Sequence, residues 1–125
     1  MSKNNSVVAE FISLLFESRN QAHVFHLQTS SYAAHKALNF YYDSVIPLAD
    51  KYAESYQGQY GIISGFSHAT KIWEGDNKII SYFLKLQKEI KSMRRSLPDD
   101  LDLENIYADV LDLINSTLYL LKELK

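Results

Sequence analysis

A chain of 125 residues with a net charge of −2, 46% hydrophobic and 22% charged residues reads as one globular domain over 1–125, not as a disordered or fibrous sequence. The weak net charge excludes a general positive field for nucleic acid or anionic membrane, and the absence of cysteine excludes disulfides, thiolate metal sites and cysteine nucleophiles. The N-terminal MSKNNSVVAEF has no sustained apolar stretch, and no run approaches the ~20 apolar residues of a membrane span, so the expected setting is cytoplasmic with no membrane partner.

The first periodic segment follows the cap-forming residues Asn4, Asn5 and Ser6 and places Val8, Phe11, Ile12, Leu15, Phe16, Ala22 and His26 at mostly three- and four-residue steps. It predicts a helix over 6–28. Thr29, Ser30 and Ser31 break the pattern and offer a cap for a second helix over 32–57, with Ala34, Leu38, Tyr42, Val45, Leu48, Tyr52 and Tyr56 as its apolar stripe. Pro47 lies inside this helix and is expected to bend it.

Gly58, Gly61, Gly65 and Gly75 punctuate the next stretch, which reads as a long crossover carrying a short helix from Ser67 to Trp73, with Trp73 packed over the end of the helices. A third helix is predicted over 77–96, with Ile79, Ile80, Phe83, Leu86, Ile90 and Met93 inward, and Leu97 to Asp100 end it. The fourth fills 102–124, with Leu103, Ile106, Val110, Leu113, Ile114, Thr117, Leu118 and Leu121 on one face. Two short links flanking one long crossover predict an all-α, ferritin-like four-helix bundle instead of a simple up-down bundle or a cytokine-type bundle with two crossovers.

Imidazoles and carboxylates together suit iron, manganese or zinc. His23 and His26 share a face of the first helix, Asp50 and Glu54 lie one turn apart on the second, and His35 and Asn39 form another such pair near its start. His35 and Asp50 are about 22 Å apart along a straight helix, so one ion cannot touch both within one chain. Either these are unrelated polar positions, or one chain supplies histidines and an antiparallel partner supplies carboxylates.

The segment QAHVFHLQTSSYAAHKALNFYYDSVIPLADKYAES resembles the corresponding region of the Dps-type miniferritins, carrying QAH, a histidine twelve residues on, and then D-x-x-A-E. That resemblance implies His23 and His35 as ligands from one subunit and Asp50 and Glu54 as ligands from its partner; beside them, His26 reads as a surface or interface histidine or an outer group of the site, and Asn39 as another outer group. It further implies a homodimer through the first two helices, iron as the metal, with manganese or zinc as alternatives, and Fe(II) oxidation for storage or detoxification inside a larger shell. Asn39 stands where that family usually has an acidic residue, which removes a negative charge. With the short chain, it motivates the alternative of a ferritin-like interaction or regulatory module without ferroxidase chemistry.

No Glu-x-x-His occurs, so a di-iron centre within one subunit is not expected, and no G-x-S-x-G or phosphate-binding glycine loop supports a hydrolase or nucleotide-binding protein. Lys85, Lys88, Lys91, Arg94 and Arg95 form a basic stripe interrupted by Glu89, read as a solvated face and not as a DNA-binding surface. Tyr41, Tyr42, Tyr52, Tyr56 and Tyr60 are expected to pack, and Glu17 to point about a third of a turn away from His23.

Overall fold

The computed structural model describes residues 5–124, which form four α-helices and no strand: α1 Asn5–Gln28, α2 Tyr32–Tyr60, α3 Ile79–Met93 and α4 Leu101–Glu123. The all-α expectation is met. Asn4, one of the residues expected to cap the first helix, lies outside the described residues. Ser31 caps α2 as its position suggested, its Oγ accepting from the Ala34 N–H at 3.1 Å. Pro47 is accommodated within a continuous α2, at an exposed position where the carbonyl deprived of its partner can meet water. The predicted third helix is α-helical only in its middle, with 3₁₀ turns at Asp76–Lys78 and Arg94–Ser96 on either side.

Polar contacts orient the helices. Ser55 and Gln59 near the end of α2 bond to Asp102 at the start of α4, and the Tyr60 hydroxyl donates to Asp100 at 2.7 Å, so α2 and α4 run antiparallel. Asp76, just before α3, accepts from Ser30 in the α1–α2 turn. Hence α2 and α3 run one way and α1 and α4 the other. Around the core the order is α1, α2, α4, α3, and the approach between α1 and α3 is the sparsest of the four neighbouring pairs.

One apolar cluster joins all four helices. Phe11 meets Tyr52 edge-on at 4.9 Å between centroids, and Tyr41 meets Phe83 at 5.0 Å, geometries that favour the aromatic quadrupoles. Among the phenols inside it, Tyr41 is bonded to Ser18 and Tyr107 donates to the Ile90 carbonyl at 2.7 Å, whereas the buried Tyr56 hydroxyl has no hydrogen-bond partner among the described residues. The Ser18 hydroxyl donates to the Leu15 carbonyl at 2.7 Å, so its 2.7 Å contact with Tyr41 has the phenol as donor. Burial pushes the Tyr41 hydroxyl well above its ordinary value, and it remains a neutral donor.

The crossover corrects one expectation. No helix forms between Ser67 and Trp73; the chain from Gly61 to Gly75 is extended and runs the length of α1. Asn5 exchanges hydrogen bonds with the Ser64 backbone, Ser13 Oγ accepts from Ser67 N–H, Gln21 exchanges both amide bonds with Trp73, and Gln28 Oε1 accepts from Gly75 N–H. Reach explains the departure. From Asn5 to Gln28 the helix rises about 34 Å at ~1.5 Å per residue, and the strap from Ser64 to Gly75 covers that only at the ~3.3 Å per residue of extended chain. Coiling Ser67 to Trp73 would shorten the strap to roughly 24 Å at those same rises. Gly61, Gly65 and Gly75 take positive φ where the strap turns. Trp73 accordingly packs along the side, edge-on to Tyr82 at 5.5 Å, and not over the helix ends.

The strap's far anchor gives an acid-dependent contribution to stability. The Thr29 hydroxyl, followed by the Ser30 backbone N–H, holds the Asp76 carboxyl below its ordinary value of 3.8. A depressed folded value means that this stabilisation is complete above the unfolded value and is lost as pH falls below it. Thermal unfolding followed from neutrality to about pH 2 should show Asp76→Asn removing part of the acid-induced loss in the wild-type chain. Parallel curves for the two proteins across that range would refute the linkage.

Candidate functional site

The histidines gather where α1 turns into α2. His26 Nδ1 lies 2.8 Å from the His35 carbonyl, and His35 Nδ1 lies 2.9 Å from the His26 carbonyl. A carbonyl only accepts, so both Nδ1 atoms carry a proton, and Nε2 is the ring nitrogen left for any lone pair. The two rings stack at 3.6 Å between centroids with 21° between planes. His26, expected on the periodic apolar face of the first helix and as an outer group of the site, is buried and forms half of a reciprocal clasp closing the helical hairpin.

His23 extends this stack outward. It meets His26 edge-on at 5.8 Å and lies over the Tyr42 ring at 4.4 Å, and the Arg19 guanidinium sits 5.0 Å from the centroid of that same Tyr42 ring. The result is a half-buried ladder of Arg19, Tyr42, His23, His26 and His35 shared between two helices. Asn39 turns its amide to Asp43, donating to Oδ2 at 2.8 Å. Tyr42 was expected only as packing, and its contact with both Arg19 and His23 follows from tertiary contact across the helix pair.

Asp50 and Glu54 are exposed farther along α2. His35, Asn39, Asp43, Asp50 and Glu54 fall within an arc of about 100° at 3.6 residues per turn, one continuous polar strip. The strip is long. The imidazoles and the two carboxylates therefore do not meet within a single chain, and among the described residues no three His, Asp or Glu side chains are placed to hold one metal ion. Glu17 faces α3, away from His23. In the basic stripe, Lys85 is paired with Glu89 at 3.0 Å and Arg94 approaches Glu104 at 3.8 Å. No described helix is long and apolar enough to cross a membrane.

A family of unknown function, DUF5856, matches residues 26–121, which takes in α2, the crossover strap, α3 and nearly all of α4. The chain belongs to this family. The matched DUF5856 span includes His26, His35, Asp50 and Glu54 and begins after His23. The chain is also 31% identical over 98 residues to an uncharacterized 14.6 kDa protein from the mobD-ri intergenic region of Enterobacteria phage T4, covering 74% of this chain and 77% of that one. No solved structure matches it.

Proposed function

We propose that the chain is a ferritin-like protein that pairs antiparallel with a second copy along α1 and α2. In this reading it binds Fe(II), or a similar divalent ion, between His23 and His35 of one copy and Asp50 and Glu54 of the other. The observation that carries the reading is the tautomer of His35. Its Nδ1–H is committed to a backbone carbonyl, leaving Nε2 as the donor atom, which is the arrangement that orients metal-ligating histidines.

Three further features support it. The helix directions, with two short links and one long crossover, are those of ferritin-like chains. Two imidazoles with two carboxylates suit a borderline divalent ion. The midpoints between His35 and each of Asp50 and Glu54 fall near Asp43 and Ser44, so one two-fold axis there aligns both ligand pairs.

Complementation tests the pairing directly. His23→Ala with His35→Ala in one chain, and Asp50→Ala with Glu54→Ala in another, should each weaken anaerobic Fe(II) binding by about tenfold or more in calorimetry. A mixed dimer of the two variants should recover half of the sites, because one of the two symmetry-related sites in its interface keeps all four ligands. No binding by the wild-type chain, no recovery on mixing, or a monomeric mass by light scattering would each defeat the proposal.

One observation favours a second reading, a ferritin-like interaction module without metal chemistry. Asn39, which stands where the resemblance would place a carboxylate, spends its amide on Asp43 within the same chain. Dimerisation without Fe(II) binding would select this alternative.

A further inference from the structure

Where α1 and α3 stand apart, the strap roofs a groove of about 200 Å³. Trp73 and Tyr82 meet edge-on within it at 5.5 Å, giving an aromatic corner, while Glu10, Glu17 and Glu89 bring three carboxylates and Lys85 a single cation. That cation is taken, since Lys85 Nζ lies 3.0 Å from Glu89 Oε1. Among the described residues Glu17 has no ion-pair partner.

From this cavity we infer that the groove is a binding site for a small organic cation of the alkylammonium class, its charge set between Glu17 and Glu89 and its carbon substituents against Trp73 and Tyr82. The size admits a small ligand, below the range of about 300–1,000 Å³ typical of drug-sized sites. An aromatic corner beside anionic groups attracts ammonium ions through the ring quadrupole as well as by direct charge. A hard divalent metal needs several converging oxygen ligands, and no such triple is placed among the described residues.

The electrostatics agree. Burial first, and then the Glu89 charge, raise the Glu17 carboxyl above its ordinary value, outweighing the opposing influence of Lys85 and His68. An ammonium ion held between the two carboxylates relieves both costs. Its chemistry is common to polyamines, which also donate hydrogen bonds, and to choline-like quaternary ions, which do not.

The single tryptophan of the chain makes the groove its own reporter. Spermidine and choline titrated into the intact protein at constant ionic strength should change Trp73 emission saturably for at least one of them, and the stronger response identifies primary or quaternary ammonium. Glu17→Gln should weaken that binding about tenfold, and Lys85→Ala, which frees Glu89, should tighten it. Asp109→Asn, on the distant surface of α4, should leave it unchanged. If Glu17→Gln loses its helical circular dichroism, Glu89→Gln takes its place. The inference is overturned if neither cation gives a saturable response, if sodium chloride at matched ionic strength reproduces it, or if the folded glutamine variant binds as well as wild type.

Discussion

Phe11→Ala should lower the unfolding free energy by about 3–5 kcal/mol, the range for emptying a fully buried aromatic site. Phe11 is completely buried on α1 and packs edge-on against Tyr52 of α2 at 4.9 Å and obliquely against Tyr107 of α4 at 5.9 Å. Truncation removes contacts to two other helices at once and leaves a void whose walls are rings, which collapse poorly into an alanine-sized gap. Urea unfolding monitored by far-ultraviolet circular dichroism measures the loss. A change under about 1 kcal/mol would show that the three helices do not share this contact as described.

Gln21→Leu should have the second-largest effect, about 2 kcal/mol, and a distinctive signature. The Gln21 side chain is buried, with its Nε2 donating to the Trp73 carbonyl and its Oε1 accepting from the Trp73 N–H, both at 2.8 Å. Leucine has similar volume but leaves a backbone donor and acceptor without partners, at roughly 1–3 kcal/mol for each such group when buried. The strap, exposed over most of its length, can open locally to water, which holds the sum near the low end. Trp73 emission should therefore shift toward longer wavelength at lower denaturant than the helical signal is lost. Coincident transitions in the variant would mean that the strap is not a separable unit. Gln28→Ala, whose contacts to Glu74 and Gly75 are exposed, should cost less than about 1 kcal/mol.

The helices were legible because their causes are local. Apolar residues at three- and four-residue steps need only the helix period to predict α1 through α4, and Ser31 announces a cap by its chemistry and its place before an apolar stripe. Charge pairing at one-turn spacing was equally readable, since Lys85 and Glu89 meet on the same helix face. The candidate site was readable as residue types and spacings, with His23, His35, Asp50 and Glu54 along two adjacent helices. Its geometry was not, because helical spacing says nothing about how one helix lies on another.

Two features depended wholly on tertiary structure. Ser67 to Trp73 has no local signal against a helical turn, and becomes extended because its ends must reach opposite ends of α1, a constraint set by a helix about 34 Å long. The helix period puts His26 on the apolar face of α1 but does not name its partner; it meets His35 because the three-residue link from Thr29 to Ser31 folds the two helices back until each imidazole meets the other's carbonyl. Residue identity and period thus determined which segments coil and which side chains can carry chemistry. Chain reach and helix-to-helix contact decided where those side chains meet, since both depend on distances between residues far apart along the chain.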